Sequence, residues 1–128
     1  MRKLLICEDE PGLLEVLKNR FEEEGWDVTT ALDGELALAA ITKERFDLVL
    51  LDLLMPKKTG FEVLQEVKSN PIYKDLPIIV LSSLGMDEDI KKALALGASD
   101  YYVKSQHPIG EILEKAKAFE GGHATPLK

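Results

Sequence analysis

An α/β fold built on a doubly wound sheet of five parallel strands is what this sequence predicts, and three observations predict it. Five short apolar runs alternate with five amphipathic stretches along the chain. Several of the runs lack polar alternation, as strands do when helices cover both faces of their sheet. Strand and helix alternate from end to end, which implies parallel strands joined by helical crossovers.

The elements follow in order. "KLLIC" (3–7) is a buried strand, and "GLLEVLKNRFEEEG" (12–25) a helix with Leu14, Leu17 and Phe21 on one face. Pro11 suits the start of that helix and Gly25 its end. "WDVTTA" (26–31) reads as the second strand and "GELALAAITKE" (34–44) as a helix of strong helix formers. "DLVLLD" (47–52) is a continuous apolar strand. "TGFEVLQEVKSN" (59–70) is a helix with Phe61, Leu64 and Val67 on one face, stopped by Pro71. "PIIVLS" (77–82) is the fourth strand, and "DEDIKKALALG" (87–97) a helix with acids in its first turn and Gly97 behind it. "DYYVK" (100–104) and "PIGEILEKAKAFE" (108–120) supply the last strand and helix. Residues 1–120 form one domain in this reading, and 121–128 a loose tail.

Composition narrows the function. The chain has 128 residues, 45% hydrophobic and 30% charged, which suits a globular domain with its own core. A net charge of −7 argues against strong nonspecific nucleic-acid binding. The apolar run after the first basic residues is too short for a signal peptide, and no stretch approaches a membrane span. Cys7 is the one cysteine, which excludes an internal disulfide and a thiolate zinc site. It lies in an apolar run and reads as an inert core thiol of a reducing compartment, so a cytoplasmic protein is expected.

A sheet of this kind binds its ligands outside the C-terminal ends of the strands. Glu8 and Asp9 follow the first strand, Asp52 ends the third, Ser82 ends the fourth and Lys104 the fifth. Asp52 is the one acid in the run "LVLLDLLM", and a buried carboxylate needs compensation. Three carboxylates at one edge repel each other unless a hard cation sits among them, and so few oxygen ligands suit Mg2+. Lys104 adds a point charge for a phosphate oxygen and Ser82 a hydroxyl donor. Together they describe a site for a phosphoryl group on Asp52, with the Asp52 oxygen as nucleophile.

Four motifs carry a family resemblance: "CEDEP", "DLVLLDLLMPKKTG", "PIIVLSS" and "GASDYYVK". In this order, over roughly residues 2–119, the chain resembles a receiver domain of the two-component response regulators. The resemblance implies a flavodoxin-like sheet of strand order 2-1-3-4-5. It implies Asp52 as phosphoacceptor, Asp9 and Asp52 as direct Mg2+ ligands, Glu8 as a ligand through water and the Leu54 carbonyl as the remaining one. Lys104 resembles the lysine that pairs with Asp52 and then with the phosphoryl group. Ser82 resembles the switch hydroxyl, Tyr101 the ring that turns inward when that hydroxyl moves, and Gly60 the small residue that opens the third helix. The implied donor is a sensor histidine kinase or a histidine phosphotransfer protein. The implied product is a switched surface for a downstream target, with assisted self-phosphorylation and self-dephosphorylation rather than turnover of an outside substrate. With no output segment in the sequence, a stand-alone receiver without direct DNA binding is expected.

Two positions depart from the family pattern. Ser105 follows Lys104 where proline, often cis, is usual; a cis bond before a non-proline residue costs about 2.5–4 kcal/mol, so a trans bond is expected. Leu54 and Leu84, two residues past Asp52 and Ser82, give attacking water nothing to bond, so a long-lived phosphoryl-aspartate is expected.

Gly12, Leu13 and Val16 lie beside the core stripe of the first helix, and read either as helix-flank packing or as a docking surface for the donor's helix. Lys57 and Lys58 read as a solvated loop, and His107 and His123 as incidental. Two other classes remain open at this level. One is an interaction module that never turns over phosphate, against which the acidic set, Ser82 and Lys104 stand. The other is a nucleotide binder or hydrolase of the same fold. Acidic "CEDEPG" is no phosphate cradle for a flavin, and Leu54 stands where an aspartate-based phosphatase would want a second acid.

Overall fold

A computed structural model describes residues 2–119. Its elements are β1 (Lys3–Cys7), α1 (Pro11–Glu23), β2 (Asp27–Ala31), α2 (Gly34–Lys43), β3 (Leu48–Leu51), α3 (Gly60–Lys68), β4 (Ile78–Ser82), α4 (Asp87–Ala95), β5 (Asp100–Val103) and α5 (Ile109–Ala116). All pairings are parallel, as the alternation of elements predicts, and the strand order is β2-β1-β3-β4-β5, as the family resemblance implies.

The strand pattern explains the layers. β1, β3 and β4 carry almost no polar residue because successive side chains point to opposite, equally buried faces. Leu4, Ile6, Leu48, Leu50, Ile79 and Leu81 pack with Leu17 and Phe21 of α1 and Ile112 of α5. Leu5, Cys7, Val49, Leu51, Ile78 and Val80 pack on the other face with Ala37 of α2, Leu64 of α3 and Ala93 of α4. Edge strand β2 is instead exposed or half-buried along its length except at Ala31.

Helices end earlier than periodicity alone suggests. α1 stops at Glu23 rather than at residue 25, because Gly25 takes φ +94° and reverses the chain. Trp26 N–H then donates to the Phe21 carbonyl at 3.1 Å and Gly25 N–H to that of Glu22 at 3.0 Å. Trp26, expected in β2, instead packs edge-on against Phe21, with ring centroids 6.1 Å apart. Gly97, at φ +114°, ends α4 by the same pair of bonds. α3 starts one residue late because Thr59 caps it, in a reciprocal box with Glu62. Pro108 takes the N-cap position of α5, without a side-chain hydrogen bond, rather than entering the helix, and Lys117–Phe119 tighten into a 3-10 turn. Residue 120 and the expected tail lie outside the described residues.

A 3-10 turn at Pro71–Tyr73, absent from the sequence reading, leads into β4. Lys68 holds it from the end of α3: its ammonium donates to the carbonyls of Tyr73, Lys74 and Leu76 at 3.0, 3.3 and 2.6 Å. Burial lowers the pKa of this lysine. Among the described residues no helix is long and apolar enough to cross a membrane.

Candidate functional site

The strand order reverses between β1 and β3, which opens a crevice above their C-terminal ends. Register brings the polar residues there. Cys7 pairs with Leu51, so the next residues, Glu8 and Asp52, emerge side by side, and Asp52 N–H donates to the Cys7 carbonyl at 3.0 Å. Ser82 pairs with Val103, and Lys104 N–H donates to the Ser82 carbonyl at 2.9 Å.

The three strand ends share one local device. Glu8 Oε2 accepts from Glu10 N–H at 3.1 Å, Asp52 Oδ1 from Leu54 N–H at 3.1 Å, and Ser82 Oγ from Leu84 N–H at 3.3 Å. Each side chain thus satisfies the backbone donor two residues on, which turns the chain out of the sheet and fixes the acceptor. Gly60 makes room for this at Asp52: a Cβ there would lie 2.4 Å from the Asp52 carbonyl oxygen.

Electrostatics join the ends. Glu8, Asp52 and Ser82 are buried, at 2%, 3% and 0% exposure. Lys104 Nζ lies 2.9 Å from Glu8 Oε1 and 3.0 Å from Asp52 Oδ2. Burial raises the Glu8 pKa, and the charge of Asp52 adds to the rise against the pull of Lys104. Burial works against the Lys104 ammonium, but its hydrogen bonds to Glu8 and Asp52 outweigh that and raise its pKa. Glu8, Asp9 and Asp52 each offer an oxygen within 4.8 Å of the others, Asp9 from the exposed rim. An all-oxygen, multiply charged set of this size fits a hard divalent cation.

The remaining expected residues fall around this centre. Leu54 is exposed on the loop after Asp52 and Leu84 half-buried on the loop after Ser82. Tyr101 lies inside, 9% exposed, and its hydroxyl donates to the Leu84 carbonyl at 2.5 Å. Burial and then the nearby Asp89 push its phenol pKa up, which keeps it a neutral donor. On α1, Gly12 and Val16 are exposed, while Leu13 is half-buried against the α1/α5 core. The Lys104–Ser105 bond is trans, since the described residues contain no cis peptide.

Four features escape the sequence reading. Lys104 pairs with Glu8 as well as Asp52, which only the reach of a lysine from the end of β5 across to the end of β1 could have suggested. Lys57 sits in the left-handed region at φ 71° with its ammonium 3.8 Å from Asp33, and Lys58 pairs with Glu66 at 2.7 Å, so that loop is tied down rather than merely solvated. His107 binds the backbone of Val103 and is not incidental. Lys92 lies over the Phe61 ring at 4.3 Å, linking α4 to α3. His123 lies outside the described residues.

The sequence profile of the response regulator receiver domain matches residues 4–117. The chain is 41% identical over 107 residues to the probable transcriptional regulator ycf27 of Cyanophora paradoxa, covering 84% of this chain and 44% of that one. It is 38% identical over 116 residues to the probable transcriptional regulatory protein TcrX of Mycobacterium tuberculosis, covering 90% of this chain and 48% of that one. The chain thus spans less than half the length of the curated relatives it matches. Among solved structures, it is similar to the response regulator protein TrrA of Thermotoga maritima in complex with Mg2+ and BeF, at 36% identity and a TM-score of 0.82, covering 94% of this chain and 100% of that one.

Proposed function

The chain belongs to the response regulator receiver domain family, and on that premise we propose that Asp52 accepts a phosphoryl group from a sensor histidine kinase or a histidine phosphotransfer protein. The observation that carries this reading is the Lys104 ammonium held between Glu8 and Asp52 at the switch point of the sheet.

An Asp52 carboxylate oxygen attacks phosphorus, the phosphorus–nitrogen bond of the donor phosphohistidine breaks, and the imidazole leaves. Leu54 N–H steadies one oxygen of Asp52, and Lys104 moves from the other to an oxygen of the incoming group. Glu8, Asp9, Asp52 and the Leu54 carbonyl are the residues to hold Mg2+, which supplies neutralisation of the charge that develops during transfer. Ser82 and Tyr101 then read the new charge, about two negative units, and shift the population of surfaces open to a downstream target. Gly12, Leu13 and Val16 receive the donor's helix. Leu54 and Leu84 withhold hydrogen bonds from attacking water and prolong the aspartyl phosphate. The setting is the cytoplasm, and the domain assists its own phosphorylation and hydrolysis.

Incubation with acetyl phosphate and Mg2+, followed by phosphate-affinity electrophoresis, tests the reading. A retarded band is expected that needs Mg2+ and vanishes in Asp52→Ala. An unshifted parent protein, or a shift that survives the substitution, refutes Asp52 as acceptor.

A further inference from the structure

We propose that His107 is a positioning residue for Lys104: by capping the backbone of Val103 it closes the β5–α5 loop and fixes where the lysine leaves the sheet. The inference rests on the reading of Lys104 as the phosphoryl-pairing lysine.

β5 is an edge strand, so its outward N–H groups have no neighbouring strand to bond. Side chains meet two of them instead. Asp100 Oδ1 accepts from Tyr101 N–H at 2.8 Å, and His107 Nδ1 accepts from Val103 N–H at 3.1 Å. The Val103 carbonyl is engaged by the same loop, accepting from Gln106 N–H at 3.0 Å and His107 N–H at 3.1 Å. Both polar groups of Val103 are therefore closed by residues 106 and 107. The imidazole stands edge-on to Tyr102 with centroids 4.9 Å apart, which fixes its rotamer. The same Nδ1 lies 3.2 Å from the Val103 carbonyl oxygen: with the ring proton on Nε2 it accepts from the Val103 N–H, and with the proton on Nδ1 it donates to the Val103 carbonyl, so either tautomer caps this backbone.

Lys104 is the next residue, and it is held from two sides. Its own N–H is fixed on the Ser82 carbonyl, and the peptide before it is fixed by His107. From there its side chain reaches Glu8 and Asp52. Ser105 and Gln106 are exposed, and neither fixes its φ as a proline ring does. Restraint that a ring directly after the lysine would impose comes in this chain from a ring three residues on. Without the cap the loop from 104 to 107 keeps only its carbonyl bonds, and Lys104 spends less time aligned on Asp52.

The test uses the full chain and two substitutions. His107→Asn keeps an acceptor near the place of Nδ1, whereas His107→Leu keeps bulk against Tyr102 and removes the acceptor. Phosphorylation by acetyl phosphate in saturating Mg2+, amide exchange at Val103 and thermal unfolding are measured for each. His107→Leu is expected to label about fivefold more slowly, with faster Val103 exchange, as the loss of one hydrogen bond implies. His107→Asn is expected within about twofold of the parent. A leucine variant that labels at the parental rate while its Val103 amide exchanges freely overturns the inference and leaves the reading of Asp52 intact. An asparagine variant as slow as the leucine variant at equal thermal stability overturns it too. A parent chain that takes no phosphoryl group overturns both. His107→Ala is read in the same way if the leucine variant does not fold.

Discussion

Lys104 and Lys68 are both half-buried lysines whose ammonium groups converge on several oxygens, yet they do different work. Lys104 meets two carboxylates, which raise its pKa. Lys68 meets three backbone carbonyls, and burial lowers its pKa. Carbonyls are neutral and fixed, so Lys68 serves as a brace for the turn before β4. Carboxylates carry charge that another cation can take over, so the proposed function asks Lys104, and not Lys68, to exchange partners. A buried lysine is a fastening or a switch according to the charge of what it binds.

The largest effect tests the exchangeable end directly: Asp52→Ala should abolish labelling by acetyl phosphate. Lys104→Met comes next. It leaves Glu8 and Asp52 buried together without their cation, which costs about 3 kcal/mol in urea unfolding without Mg2+. Mg2+ at a hundred times its Kd should return about 2.7 kcal/mol, more than the same concentration gives the parent, whose carboxylates Lys104 already neutralises in part. Equal Mg2+ increments in the two proteins would erase the proposed contrast.

Lys68→Met should cost about 2 kcal/mol through carbonyls left unsatisfied. The loss should be the same with and without Mg2+, while Asp52 labels at the parental rate. Smaller again is the effect of Leu54→Asn with Leu84→Glu. Dephosphorylation followed by loss of label should quicken about tenfold, or about 1.4 kcal/mol in barrier. An unchanged lifetime removes the role given to the leucines. Least affected is Cys7, whose burial pushes its thiol pKa well up. A thiol reagent at neutral pH should leave the folded protein unmodified and label it in urea.

Much of the fold was legible because apolar runs and amphipathic stretches report burial locally. "LVLL" has no polar residue since both of its faces are covered, and Leu14, Leu17 and Phe21 mark one face of α1. Boundaries were less legible. The stops at Gly25 and Gly97 depend on backbone reversal that periodicity does not carry, and the Thr59 cap depends on a side chain turned back on its own helix. The acidic residues and the lysine of the site were legible as strand ends. Their mutual geometry was not, because the Glu8–Lys104 pair joins residues on different strands that only the sheet brings together.

The sequence alone determined the alternation of strands and helices, the burial of the central strands and the set of polar residues at the C-terminal edge, since each depends on residue type and spacing over a few positions. Tertiary structure decided which carboxylates share Lys104, that Tyr101 lies inward on the Leu84 carbonyl, and that His107 closes the loop beside the site. Those depend on distances between residues far apart in the chain or turned back across a loop. Such distances are set only when strand register and helix packing have fixed the backbone.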